Sequence, residues 1–274
     1  MKELRRIIKS RVSRAIELLP YGRDVVLHVT RNRRGISYRG MFNSWEEAAQ
    51  AASKGKSFDY DAINANKASN PEREKQRLQT WFHDTDYPLL YWLSRIIDEE
   101  CTVLDLGGSL GHFFYSIQNK LDLPKTLKYV IAELPSAVAY GTEISRERKE
   151  NRLSFLDSSK LSLVHDVDVF MTAGTLQYMP KRLPGIIDEF NEEPRHVLMH
   201  NLPVHAEKEF STIQNLGLCE VPYRIYSVAL LCEEMKSRGY ELIERWVNDR
   251  KIEIPFNRSL AILGYGGFYF RNRE

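Results

Sequence analysis

From Cys101 onward, short apolar β-rich runs alternate with helical segments, and this alternation narrows most what the chain can fold into. The strand candidates are residues 102–106, 129–133, 153–156, 167–172 and 197–200. Their nearly continuous apolar character predicts strands buried on both faces, as in a parallel sheet. Helices are expected between them over 112–121, 136–149 and 182–190. A further helix over 227–238 should stop at Gly239, a good left-handed residue after a helix. Two more strands follow at 240–247 and 260–270. Only residues 248–259 separate them, and no useful helix fits there beside Pro255, so they should pair antiparallel. The expected fold class is α/β: a Rossmann-like, doubly wound, seven-stranded sheet with a C-terminal antiparallel hairpin and an N-terminal helical extension. Residues 1–87 form that extension and 88–274 the main domain.

The strongest local signal is Thr102-Val-Leu-Asp-Leu-Gly-Gly-Ser-Leu-Gly-His112, a buried strand running into a glycine-rich turn and then a helix. Gly107 and Gly108 allow positive φ and close ligand approach, and Gly111 lets the helix pack closely. The helix start offers free N–H groups and a positive dipole end. Asp105, at the strand's end, can hold an ammonium or position the loop. The next strand ends at Glu133, 22 residues after Gly111, where an acid can accept hydrogen bonds from ribose hydroxyls. A nicotinamide fingerprint fits less well. Counted from Gly107, its glycine positions hold Gly107, Ser109 and His112.

The looser spacing Gly107, Ser109, Gly111, with Asp105 two residues ahead, resembles the class I S-adenosylmethionine (SAM)-dependent methyltransferases. Those enzymes also end in an antiparallel hairpin within a seven-stranded sheet. Val103-Leu-Asp-Leu-Gly-Gly-Ser-Leu-Gly111, Ala132-Glu-Leu-Pro135, Thr175-Leu-Gln-Tyr178, the 35–48 segment and Gly267-Phe-Tyr-Phe270 look like a bacterial methyltransferase family associated with surface-polysaccharide gene clusters. The resemblance implies SAM as cofactor, with Asp105, Gly107, Gly108, Ser109 and Gly111 around its methionine part. It places Glu133 at the ribose, Leu134 beside the adenine, Phe155 and Asp157 at the adenine edge, and Ala173, Gly174 and Thr175 along the sulfonium. Ser109 stands where a glycine is commoner. The implied reaction is methyl transfer to oxygen on a sugar or polysaccharide precursor, an in-line displacement that needs an aligned nucleophile and often a base. The family pattern carries an acid followed by Arg where this chain has His200-Asn201.

Base candidates lie beyond strand ends, where open α/β sheets bind ligands. His200 and His205 are the two, each against the alternative of a structurally bonded histidine. Gln177 and Tyr178 could meet substrate. So could Tyr223, Arg224 and Tyr226, within the long 201–227 segment, which reads as a lid or as a loop packed on the body. His112 is expected as a first-turn residue. No metal site has a recognisable spacing, and Cys101, Cys219 and Cys232 are sparse and far apart, as suits a reducing cytosol.

Composition matters mainly through its asymmetry. The formal charge of +2 hides residues 1–40, where eleven Lys/Arg against three acids leave +8; the remainder, with 28 basic and 34 acidic residues, carries −6. Residues 1–19 have the spacing of an amphipathic helix through Leu4, Ile7, Ile8, Ala15, Ile16 and Leu19. No apolar core follows the first charges, so a signal peptide is not expected. The basic arm reads as a solvated face or as a contact for an anionic membrane surface. Nucleic acid is not expected, because no groove-reading motif accompanies the charge. The expected location is cytoplasmic, including peripheral placement at the inner face of the membrane. A β-like run is expected over 25–29, then a helix capped by Ser44 and Glu47, a charged helix over 71–82 and another from Pro88. Rival readings are a nicotinamide- or nucleotide-binding oxidoreductase, a non-catalytic adaptor on the same fold, and a nucleic-acid methylase. The first would need a parallel sixth strand.

Overall fold

A computed structural model of the chain describes residues 16, 19, 21–30, 36–52, 77–78, 82–217, 219–257, 260, 262 and 264–273. The helices expected over 1–19 and 71–82 lie outside these residues, apart from isolated positions. Among the described residues, no helix is long and apolar enough to cross a membrane.

Five parallel strands build the centre: β2 (Thr102–Leu106), β3 (Lys128–Glu133), β4 (Leu153–Asp157), β5 (Val169–Ala173) and β6 (His196–His205). They follow β1 (Ser37–Phe42), which belongs to an extension described below. The strands β7 (Phe210–Asn215), β8 (Glu220–Ser227), β9 (Tyr240–Asn248) and β10 (Tyr265–Asn272) complete the set. Across the main sheet the order is β4-β3-β2-β5-β6-β10-β9, with β10 antiparallel to both β6 and β9. The mostly parallel sheet with its terminal antiparallel hairpin is therefore as expected, but β8, β7 and β1 join it as well, so it has ten strands among the described residues rather than seven.

Alternate residues of β2, β3, β5 and β6 feed two cores. Leu104, Leu106, Phe170, Val197 and Met199 pack on one face with Leu183, Ile186 and Ile187 of one helix (Leu183–Ile187) and Leu231 and Met235 of another (Val228–Ser237). Val103, Ile131, Met171 and Leu198 pack on the other with the Tyr87–Ile96 and His112–Ile117 helices. Numbered in chain order, the helices are α1 (Gly22–Thr30), α2 (Trp45–Ala51), α3 (Tyr87–Ile96), α4 (His112–Ile117), α5 (Pro135–Arg148), α6 (Leu183–Ile187) and α7 (Val228–Ser237). This two-faced burial follows from the period of two in a strand.

Three expectations need correction. Residues 25–29 lie in α1, not in a strand. Its start is bonded as a helix, with the Val25 N–H on Tyr21 O at 3.0 Å, and Asp24 sits in the first turn where the dipole favours an acid. The β-branched run is overridden by this context. Residues 201–227 are not a lid. β6 extends to His205, and a β7–β8 hairpin follows, its β8 pairing in parallel with the end of β6. β1 then adds antiparallel to β7, so part of the N-terminal extension is a strand of the same sheet. Arg39 of β1 holds Glu220 of β8 with a bidentate pair at 2.6 and 2.9 Å. Helix α2 packs beside β7 and β8, and Ser44 caps it by accepting from the Glu47 N–H at 3.1 Å, as the sequence implies.

Candidate active site

The C-terminal ends of β2, β3, β4 and β5 meet at one edge of the sheet, with the glycine turn between β2 and α4. The turn runs left-handed at three positions: Gly107 (φ 80°), Ser109 (φ 55°) and Gly111 (φ 90°). Ser109 thus adopts a conformation that glycine takes without cost. Gly108 does not have positive φ, contrary to expectation. Its need is space, because a Cβ there would lie 2.5 Å from Asp105 Oδ2. A Cβ on Gly107 would lie 2.0 Å from Thr175 Oγ1, so the turns after β2 and β5 touch. His112 is buried as the first residue of α4.

Glu133 fastens this turn to the end of β3. Its Oε1 accepts from the Ser109 N–H at 3.1 Å and its Oε2 from the Leu134 N–H at 2.8 Å. The buried acid therefore faces the loop. Leu134 is 40% exposed and offers an open apolar surface beside it. Asp105 lies beneath the turn, accepting from the Tyr129 hydroxyl at 2.9 Å. Burial pushes the Asp105 carboxyl up to about 7; the Tyr129 bond opposes this, and the nearby Glu133 charge adds to it. Phe155 packs its ring against Gly141 of α5, where a Cβ would come within 2.2 Å. Asp157 accepts from the Ser159 N–H and Oγ at 2.9 and 2.8 Å, which holds its carboxyl below the usual range.

After β5, Gly174 (φ 75°) donates its N–H to the His200 carbonyl at 2.8 Å. Gln177 folds back, and its Nε2 donates to Gly174 O at 2.7 Å. That bond fixes the amide orientation, because a carbonyl only accepts. Gln177 Oε1 is buried and has no partner among the described residues. The Tyr178 hydroxyl donates to Gln214 Oε1 at 2.8 Å, and Gln214 Nε2 donates to the Tyr38 oxygen at 2.8 Å. Tyr38, Tyr265 and Tyr223 continue as neighbouring hydroxyls at 3.3 and 2.8 Å. Burial raises the phenols of Tyr178, Tyr223 and Tyr265 above their ordinary range, so they stay protonated at neutral pH.

The two histidines expected as bases are both held by hydrogen bonds. His200 is 2% exposed, and both ring nitrogens are engaged: Nε2 with Asp86 Oδ1 at 3.0 Å, Nδ1 accepting from Trp246 Nε1 at 3.0 Å. The Trp246 bond requires a lone pair on Nδ1, so Nε2 carries the proton. His205 lies five residues farther along β6, roughly 16 Å at strand rise. Its Nδ1 accepts from the Glu207 and Lys208 N–H groups and closes a turn. Tyr223, Arg224 and Tyr226, expected to meet substrate, are also buried. Arg224 donates to Pro180 O at 2.9 Å and Tyr226 to Leu176 O at 3.1 Å, so they anchor the segment after β5 from behind.

Sequence reasoning missed Asn201. His200 and Asn201 together oppose the single residue Gly267 of β10, a β-bulge that puts Asn201 at φ 53°. Gly267 is required because a Cβ there would enter the Trp246 indole at 2.0–2.5 Å. The Asn248 amide donates to Asn201 Oδ1 at 3.0 Å, and Asn248 Oδ1 accepts from the Arg250 N–H at 3.2 Å. The only hint in the sequence was the His200-Asn201 departure from the family pattern.

No family model matches the chain, and no curated protein does. Solved structures with a similar backbone course include a SAM-dependent methyltransferase from Clostridium acetobutylicum, 10% identical, TM-score 0.46, covering 78% of this chain and 98% of that one. A second is the 1,6-didemethyltoxoflavin-N1-methyltransferase of Burkholderia thailandensis, 14% identical, TM-score 0.46, covering 81% and 93%. A third is the magnesium protoporphyrin IX methyltransferase of Synechocystis, 9% identical, TM-score 0.47, covering 69% and 82%.

Proposed function

We propose that this chain is a SAM-dependent methyltransferase whose acceptor is an oxygen on a sugar or surface-polysaccharide precursor. One observation carries the cofactor reading: the glycine turn at the end of β2 is clasped to Glu133 at the end of β3. SAM would bring an electrophilic methyl group on sulfur. The turn and Asp105 would hold its amino-acid part. Glu133 would receive the ribose hydroxyls, which would compete for lone pairs beside those used by Ser109 and Leu134. Leu134 would cover the adenine, with Phe155 and Asp157 at its edge. Ala173, Gly174 and Thr175 would line the sulfonium, and Gln177 and Tyr178 would face the acceptor.

Residues 88–274 would carry cofactor and acceptor. The 1–87 extension would support the site through β1 and Asp86. Its basic arm would rest against an anionic membrane surface at the inner face, near glycan assembly. The sugar-oxygen acceptor rests on the family resemblance and on the neutral hydrogen-bonding groups after β5. Calorimetry with SAM and S-adenosylhomocysteine (SAH) is the direct test. Micromolar binding is expected; no binding to either at millimolar concentration would overturn the cofactor reading.

A further inference from the structure

We propose that Gln177 and Asn201 form an amide pair that grips the nucleophilic hydroxyl of a neutral alcohol. This rests on the methyltransferase reading and names what the acceptor must present. The two residues converge on Gly174: a Cβ built there would lie 3.7 Å from Asn201 Cβ and 3.8 Å from Gln177 Nε2. Each amide is fixed in orientation by a different neighbour. Gly174 O takes the Gln177 Nε2 hydrogen, which leaves Oε1 as an acceptor. That atom is buried without a partner among the described residues, and such a group costs about 1–3 kcal/mol unless a donor reaches it. Asn248 donates to Asn201 Oδ1, which leaves the Asn201 N–H groups as donors.

One acceptor and one donor on two side chains that flank Gly174 suit a group that both donates and accepts, and a hydroxyl does both. Its hydrogen would lie on Gln177 Oε1, and one lone pair would accept from Asn201. The second lone pair would then be aimed at the methyl carbon. A carboxylate has no hydrogen for Gln177, and an ammonium has no lone pair for Asn201. Asn201 shares the β-bulge with His200, whose ring is fixed by Trp246 and Asp86.

The step balances as follows. The hydroxyl oxygen bonds to the methyl carbon as the carbon–sulfur bond breaks, with that electron pair left on sulfur. The products are the methyl ether, SAH and one proton. An amide is too weak a base to keep the proton, so it leaves to solvent.

The test uses SAH-loaded protein, 15N-labelled, with the side-chain amide signals of Gln177 and Asn201 assigned. Four probes are titrated: methyl glucopyranoside, its fully O-methylated derivative, propionate and propylammonium. The sugar with free hydroxyls should shift both amide signals, with the three probes that lack an alcohol at least tenfold weaker. Q177L and N201A should each weaken the free-hydroxyl sugar about tenfold while SAH affinity stays within twofold. The proposal is overturned if propionate, drawn by Arg250, propylammonium or the O-methylated sugar shifts these signals as strongly as the free-hydroxyl sugar. It is also overturned if no probe shifts them in protein that binds SAH. Failure of SAH to bind would instead remove the methyltransferase reading, and this one with it.

Discussion

Asp105 and Glu133 are both buried acids, and their partners differ. Glu133 is bonded by two backbone N–H groups. Asp105 has one phenol and a desolvated setting that raises its carboxyl to about 7. Unfolded, Asp105 would ionise near 3.8. Between that value and about 7 the folded protein therefore binds more protons than the unfolded chain, and stability falls as pH rises through this window. D105N should accordingly raise the apo melting temperature relative to the parent at pH 8, and the gain should vanish by pH 4. A cationic cofactor would favour the ionised carboxylate. SAM binding below pH 7 should then release a proton, visible as a dependence of calorimetric enthalpy on buffer ionisation heat. Equal enthalpies in phosphate and Bis-Tris at pH 6 would refute this. Glu133→Ala should weaken SAH by about 1–3 kcal/mol, from the loss of charge-assisted hydrogen bonds. Unchanged affinity would remove Glu133 from the site.

At the level of elements, the bulge in β6 is the feature on which the rest of the edge depends. Gly267→Ala would drive a Cβ into the Trp246 indole and force it off His200 Nδ1. An overpacked position of this kind costs about 1–3 kcal/mol. The expected result is a lower melting temperature with altered tryptophan emission. Trp246→Phe keeps the space but leaves Nδ1 unpaired, for about 1–2 kcal/mol. If both variants melt like the parent, the Trp246–His200 link has no energetic weight. The same elements show what was readable beforehand. The β2–β5 strands and the glycine turn announce themselves because their signal is local: an apolar run, then glycines, then an acid at a fixed interval. β7 does not. All six of its residues are buried, yet Ser211, Thr212, Gln214 and Asn215 are polar, so no apolar pattern marks it. Its partners supply the compensation: Thr212 donates to Gly40 O, and Gln214 bridges two tyrosines. The bonds of His200 were equally hidden, since Asp86 lies 114 residues away and Trp246 46.

Across the whole molecule, the N-terminal segment and the edge that carries the candidate site are mechanically joined. β1 pairs with β7, Arg39 grips Glu220, and Tyr38 enters the hydroxyl row that reaches Tyr178. The Arg39–Glu220 pair is mostly buried, so Arg39→Ala should cost more than the ~1 kcal/mol of an exposed pair and less than the 3–5 kcal/mol of a fully buried one. Faster hydrogen exchange in β7 should accompany it, with exchange in β2 and β3 unchanged. Uniform acceleration everywhere would mean that the pair stabilises the molecule globally rather than anchoring β1. The row of tyrosines has one more consequence. Tyr178 gives its hydrogen to the oxygen of Gln214, and Gln214 gives one of its own to Tyr38. A neutral amide cannot forward what it receives, so the row acts as an insulator: it fixes direction but carries no proton current. A proton released beside Gly174 has no exit through this row into the protein interior.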